Sequence, residues 1–248
     1  MAVSRPPGRR RLATWDDPDA YDRFMGRFST VLAPQLVDFA RLEAGQRVLD
    51  VGSGPGALTK ELVRRVGAGA VTALDPSERF VSAVRQRCPG VEAVVAHAER
   101  LPFPDGSFDA TLAQLALRHV RKPEVCVAEM LRVTRPGGVV AVCDWEGDYG
   151  RGPSPHGPFW LATTELNMET MRHSLDGLEE AVFAASVAYG SFEEWWAVVA
   201  EGVGTSAGYA KSLGPASRER LRELCRARLP EGPFTVEAYA RAGRGLVP

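Results

Sequence analysis

Val48-Leu49-Asp50-Val51-Gly52-Ser53-Gly54-Pro55-Gly56-Ala57-Leu58-Thr59 is an apolar run that breaks into alternating glycines and then resumes as a helix-forming stretch. Val48, Leu49 and Val51 suit a strand buried in a parallel sheet. Gly52, Gly54 and Gly56 reach backbone angles closed to other residues and let bare backbone approach a ligand. A helix from about Ala57 to Val66 then points its first N–H groups at the turn, a place that attracts carboxylates and phosphates. A tight turn holding no ligand satisfies the same glycines, so the ligand has to be argued from the rest of the chain.

The next piece lies downstream. Val71 to Leu74 reads as a second strand, with Asp75 at its carboxyl end, about 20 residues past the glycines. A carboxylate there accepts from both hydroxyls of a ribose. Pro76, Ser77 and Glu78 also look like a first helical turn, for which Asp75 would be the cap. Two cofactor classes fit. Gly52, Gly54 and Ala57 satisfy the G-x-G-x-x-G/A fingerprint of dinucleotide folds, the NAD-dependent reading. Asp50, Gly52, Gly54 and Gly56 satisfy the D-x-G-x-G-x-G loop of class I methyltransferases. The glycines alone leave both open.

The 248 residues are 45% hydrophobic and 25% charged, with a net charge of -1. That predicts one globular domain with a sizeable core, and no electrostatic footprint for nucleic acid or an anionic membrane. Cys88, Cys126, Cys143 and Cys225 show no C-x-x-C spacing. Reduced thiols in a cytoplasmic protein fit better than disulfides or zinc. No run approaches the roughly 18 apolar residues of a membrane span. Residues 1–13 are rich in Arg and Pro and read as a disordered tail; residues 14–248 read as one domain.

Taken in order, residues 14–26 and 29–40 read as two N-terminal cap helices, the first entered at Asp17-Pro18. The cofactor-binding core is expected over residues 45–149. Strands over 91–96, from 108, and over 139–144 alternate with helices over 77–87 and 123–134. Such alternation argues a doubly wound parallel sheet. Gln114 to His119 falls at a strand's carboxyl end, where ligands of open α/β sheets collect.

Four blocks in this order carry a resemblance. They are Val48 to Thr59; Ala73-Leu74-Asp75-Pro76-Ser77; Ala98-Glu99-Arg100-Leu101-Pro102-Phe103-Pro104-Asp105-Gly106-Ser107-Phe108-Asp109; and Glu129-Met130-Leu131-Arg132-Val133-Thr134-Arg135-Pro136-Gly137-Gly138. Across Arg47 to Asp144 the chain resembles the class I S-adenosylmethionine-dependent methyltransferases. The similar group is the small-molecule branch that includes the ubiquinone and menaquinone C-methyltransferases. A dehydrogenase has no reason to carry the last two blocks. The resemblance implies a Rossmann-like, mostly parallel seven-stranded sheet with an antiparallel last strand, which Phe234 to Ala242 can supply. It implies S-adenosyl-L-methionine as cofactor and S-adenosyl-L-homocysteine as product.

It also implies roles. Gly52, Ser53, Gly54 and Gly56 would bring the turn against the cofactor. Asp50 would orient the loop and help receive its ammonium, with backbone carbonyls of Gln114 and Leu115 nearby. Asp75 would hold the ribose hydroxyls, Pro76 and Ser77 would flank the adenine, and Ala98 and Glu99 would line its edge. Many relatives have Asp where this chain has His97, so an imidazole takes over that acceptor position. Tyr21 would meet the cofactor carboxylate.

Methyl transfer is an in-line displacement that needs alignment, plus a base for a phenol or enol acceptor. No Asn-Pro-Pro-Tyr follows the fourth strand, where the chain reads Leu112-Ala113-Gln114-Leu115-Ala116. No metal set like that of catechol methyltransferases is visible, and nothing suggests a nucleic-acid substrate. Acid–base candidates are His119, Arg118 and Asp144, the first two resembling an Arg-Asn pair of quinone-ring methyltransferases.

Residues 150–178 are expected to form a helical lid over a hydrophobic acceptor, using Trp145, His156, Phe159, Trp160, Met168 and Met171; an ordinary amphipathic helix on the core is the alternative. The helix that precedes the sixth strand in relatives reads as shortened or missing before Ala181. Residues 179–248 are expected to supply the last strands and helices. The acceptor is read as a small molecule, O-, N- or C-methylated, with monomer and homodimer both open. A cyclase, or another non-methylating protein on the same scaffold, is the functional alternative.

Overall fold

Seven strands pair into one sheet in the computed structural model, which describes residues 17–146 and 157–248, apart from the side chains of residues 157–163 and 205. The strands are β1 (Val48–Val51), β2 (Val71–Asp75), β3 (Glu92–Val95), β4 (Phe108–Gln114), β5 (Thr134–Trp145), β6 (Asp176–Tyr189) and β7 (Phe234–Leu246). Their order across the sheet is β3-β2-β1-β4-β5-β7-β6. β7 runs antiparallel between β5 and β6, and the other pairings are parallel. β1 is buried along its whole length, as its apolar run predicts for the centre of a two-sided sheet. The order reverses between β1 and β4, and such a reversal opens a crevice at the carboxyl ends of the strands.

Helices cover both faces. α1 (Pro18–Tyr21) passes through a π-helical turn, Asp22–Gly26, into α2 (Arg27–Ala40). The entry predicted at Asp17 is a true cap: its Oδ1 accepts N–H bonds from Asp19 and Ala20 at 3.1 and 2.9 Å. α3 (Ala57–Val66), α4 (Glu78–Arg87) and α5 (Pro123–Val133) fall where the sequence places them. Leu32, Leu36, Val37, Leu58 and Leu62 pack on one face, while Val127, Met130, Met168, Met171 and Leu175 pack on the other.

Two of the four sequence blocks owe their pairing to contact in space. Arg132 on α5 bonds Asp105 and Glu129, both at 2.8 Å, and donates to the carbonyls of Leu101 and Phe103. Glu129 in turn accepts the Leu101 N–H at 2.8 Å. Asp109 takes Arg135 on one oxygen at 2.6 Å and the Arg47 N–H on the other at 2.7 Å. Gly138 has to be glycine, because a Cβ there would stand 2.7 Å from the Asp109 carbonyl oxygen. The residues 98–109 and 129–138 are one interlocked corner.

The expected lid needs correction. α6 (Gly157–Ser174) is the helix that covers the sheet between β5 and β6, so the helix read as missing before β6 is this one. Met168 and Met171 are fully buried among Cys126, Val127, Met130 and Leu175. A Cβ on Gly243 of β7 would stand 2.9 Å from the Met168 sulfur, so the helix lies close on a glycine in the strand. The reason is topological: a crossover that returns to run parallel to β5 needs a connection across the sheet face. His156 and the side chains of Phe159 and Trp160 lie outside the described residues, as does the predicted tail. β6 is also longer than expected, starting at Asp176 rather than Ala181.

The insertion between β6 and β7 holds α7 (Phe192–Val199), α8 (Gly204–Ser212) and α9 (Pro215–Arg226). Ser191 caps α7, its Oγ accepting the Glu194 N–H at 3.2 Å. α9 buries no residue fully, and its Leu224 is exposed. Its Arg222 and Arg226 pair with Glu193, which leaves them as surface ion pairs.

If Met171 is core, Met171→Ala costs about 2–4 kcal/mol of stability. Thermal or urea unfolding should show that loss, with ligand affinity in the cavity unchanged. Undiminished stability with impaired acceptor binding would restore the lid.

Candidate active site at the carboxyl ends of the strands

The turn after β1 takes its shape from three left-handed residues: Gly52, Gly54 and Gly56 have φ of +72°, +53° and +100°. Gly52 is further constrained, since a Cβ there would stand 2.5 Å from the Ala116 Cβ. The N–H groups of Gly52 and Ser53 both bond the Leu74 carbonyl, at 2.8 and 3.0 Å. These bonds fold the turn onto the end of β2, where Asp75 sits. Asp75 Oδ2 accepts the Gly54 N–H at 2.9 Å and Oδ1 accepts the Ser77 N–H at 2.8 Å. The cap of α4 is therefore Ser77, whose Oγ accepts from Phe80, and not Asp75. Burial raises the Asp75 pKa, while the two amides oppose that shift.

A cavity of about 880 Å³ opens beside this corner. Gly52, Gly54, Asp75, Pro76 and Ser77 line one part of it, and His97, Ala98 and Glu99 the adjoining wall. Gln114 and Leu115 close its floor at the end of β4; Leu115 is left-handed, with φ of +56°. Tyr21 and Met25 line it from the cap helices. Tyr21 lies close over the turn, with its ring carbon 3.8 Å from the position a Gly54 Cβ would take. Its hydroxyl pairs with Ser29 Oγ at 3.3 Å, and burial pushes its pKa up to about 12, so it stays a neutral phenol.

Two buried oxygens in this region have no hydrogen-bond partner among the described residues. One is Gln114 Oε1; the amide is fixed by its other end, where Nε2 donates to the Ser29 carbonyl at 2.9 Å. The second is Asp50 Oδ1, below the turn; its other oxygen accepts from Thr59 Oγ1 at 2.6 Å. Unpaired buried acceptors are costly, and they suit a ligand that brings N–H donors or positive charge. Burial, with repulsion from Asp75, pushes the Asp50 pKa up to about 7 despite the Thr59 bond.

The acid–base candidates separate. Arg118 and Asp144 form a buried ion pair at 2.7 Å. Asp144 Oδ1 also accepts the Trp145 N–H at 2.8 Å, and Oδ2 the Arg118 N–H at 3.1 Å. A carboxylate committed this fully is a brace, and neither it nor Arg118 lines the cavity, which corrects the expectation of catalytic roles for both. His119 does line it, as does Trp145. The His119 residue keeps an open edge toward solvent, yet protein atoms crowd round its imidazole. This desolvation lowers its pKa below the ordinary 6.5, opposed by Asp144. Leu74, Phe80, Leu117, Arg121 and Lys122 also line the cavity and do not stand out from the sequence. For Arg121 and Lys122 a signal existed: they follow His119, just past a strand's carboxyl end.

Residues 49–142 match the family described as methyltransferase domain. The chain is 36% identical over 137 residues to the demethylmenaquinone methyltransferase of Renibacterium salmoninarum, covering 55% of this chain and 54% of that protein. It is 38% identical over 116 residues to the ubiquinone/menaquinone biosynthesis C-methyltransferase of Pseudomonas fluorescens, covering 44% and 45%. The chain thus matches these curated relatives over about half of their length. Among solved structures, a methyltransferase-like protein from Bacillus halodurans aligns with a TM-score of 0.59 at 19% identity, over 87% of this chain and 98% of that one. The [4+2]-cyclase SpnF aligns at 0.58 with 24% identity, over 88% and 81%. At such identities these two show the fold alone.

Within the matched residues, Asp50 offers a pH test. The folded protein keeps this proton up to about pH 7, whereas an unfolded Asp releases it near 3.8. Between those values the native state binds more protons, so ligand-free stability falls as pH rises. Asp50→Asn removes that loss. Its stability should match the parent near pH 4 and exceed it at pH 8. The gap should open by roughly 1.4 kcal/mol for each tenfold drop in proton concentration across that window. A difference independent of pH would contradict the buried, protonated Asp50.

Proposed function

We propose that the cavity binds S-adenosylmethionine and that the protein transfers its methyl group to a small, largely hydrophobic organic acceptor. The observation that carries this is Asp75: a buried carboxylate on the cavity wall, each oxygen held by one backbone amide. Each oxygen keeps acceptor capacity for one hydroxyl of a ribose diol. When bound, the cofactor supplies a methyl group on a sulfonium, open to in-line displacement.

The remaining work belongs to the chain. Gly52, Ser53 and Gly54 pass bare backbone against the ligand, and Gly56 starts α3 in the left-handed region that lets the turn close. Gln114 Oε1 and Asp50 Oδ1 match the donors of an ammonium group, directly or through water. Leu115 contributes backbone at the same place. Pro76 and Ser77 flank the adenine, with His97, Ala98 and Glu99 at its edge. Tyr21 covers the turn and meets the cofactor carboxylate. Trp145 and His119 face the acceptor, and the Arg118–Asp144 brace holds both, since Arg118 also donates to the Trp145 carbonyl at 3.2 Å. His119, neutral at pH 7 because its pKa is lowered, is positioned to take a proton from a hydroxyl or enol acceptor.

The quinone-type acceptors named for the curated relatives set a first panel, together with phenols and polyketide-like compounds. Calorimetry should detect S-adenosylmethionine and S-adenosylhomocysteine, and Asp75→Ala should weaken both by about 10- to 100-fold while the fold persists. Products should gain the mass of one methylene; turnover of acceptor without that gain would favour the cyclase reading. Binding of NAD(H) and no response to either ligand would remove the proposal.

For hydroxyl acceptors, kcat/KM should fall with acid only below pH 6.5, as His119 becomes protonated. His119→Ala should lower kcat by about 10²-fold or more and abolish that acid limb, with cofactor affinity retained. An unaltered pH profile in the variant would exclude His119 as the base.

A further inference from the structure

Charge is divided unevenly around the cavity. Asp75, at the end of β2, is held by two amides, and Glu99 reaches across to accept the Arg121 backbone N–H on Oε1 at 3.3 Å. Beyond β4 the wall continues as Leu117, His119, Val120, Arg121 and Lys122. Arg118 is neutralised there by Asp144. Arg121 and Lys122 are not: neither side chain has an ion-pair partner among the described residues. This is not general basicity. The chain carries 30 basic and 31 acidic residues, and arginines elsewhere, such as Arg87, Arg132 and Arg172, face carboxylates. The wall next to these two cations is apolar, with Leu117 and Trp145 buried and Val120 half-buried.

We propose that the acceptor carries an anionic group, a carboxylate or phosphate, received by Arg121 and Lys122 while Leu117, Val120 and Trp145 hold its apolar body. The proposal rests on the methyl-transfer reading and narrows it. Two exposed cations on the rim of a concave cavity attract an anion more strongly than the same pair on a convex surface, because the low-dielectric walls focus their field, and a neutral ring gains nothing from them. Selection of this kind acts through charge and is eroded by salt.

Two dyes with one ring system test it. 8-Anilinonaphthalene-1-sulfonate and N-phenyl-1-naphthylamine differ by the sulfonate alone, and both fluoresce in apolar sites. Each is titrated into protein saturated with S-adenosylhomocysteine. At low salt the sulfonate should bind about tenfold more tightly than the neutral dye, and the preference should shrink in high salt. The double variant R121Q/K122Q changes two exposed positions and should melt with the parent. It should keep S-adenosylhomocysteine affinity and lose the preference. Equal binding of the two dyes, binding of neither, or a preference that survives in R121Q/K122Q would overturn the anion site while leaving methyl transfer standing. Absence of any heat with S-adenosylhomocysteine, whatever the dyes do, would overturn the reading on which the anion site rests.

Discussion

The carboxylate of Asp75 joins two loops. One oxygen takes the Gly54 N–H and the other the Ser77 N–H, so the turn after β1 and the entry to α4 are fixed to one residue. Burying a carboxylate this far is unfavourable unless its lone pairs are used. Two amides use half of them, and the cavity leaves the rest open. The group that organises the loops thus also keeps acceptor capacity facing the cavity. Folding and binding draw on the same atoms, which is why the cavity forms at this corner of the sheet and not elsewhere along the strand ends.

The other wall is built on the Arg118–Asp144 pair. Both side chains are almost completely withdrawn from solvent, at 4% and 3% exposure. A buried pair of this kind is weak evidence for stability, yet removing one partner strands a charge and costs about 3–5 kcal/mol. Its value here is geometric. Asp144 ends β5 and Arg118 follows β4, so the pair fixes the separation of the two strand ends between which Trp145 and His119 meet the cavity.

The sheet, the turn and Asp75 are legible in the sequence because each is dictated locally. Glycine at φ of +72° and an Ala116 methyl at 2.5 Å leave no alternative at Gly52. A strand with three apolar residues in four, and a buried Asp50 bonded to Thr59, is at home in the sheet centre. α6 reads as a lid because its signal is not local. Phe159, Trp160, Met168 and Met171 make an apolar face that serves a lid and a core helix equally well. What separates them is that β6 must run parallel to β5 with β7 between, and the pairing of β7 is not written in the residues of α6. Asp144 misleads for a similar reason. A carboxylate at a strand's carboxyl end reads as catalytic until Arg118, 26 residues earlier in the chain, is seen to consume it.

The cap helices show how far such non-local ties extend. On the cavity side α2 is held by Gln114 Nε2 on the Ser29 carbonyl, a fully buried bond whose loss would leave a desolvated amide. On the outer side Arg27 reaches Glu194, the Ala188 carbonyl and the face of Tyr189, all in or near the insertion after β6. The Arg27–Glu194 pair is 29% and 42% exposed, in the range where an ion pair contributes little. The two attachments are unequal, yet both lie in the first turn of α2, where Arg27 and Ser29 stand two residues apart. The buried Gln114 contact therefore fixes that turn, with Tyr21 and Met25 facing the cavity just before it, although all these cap residues precede the matched family region.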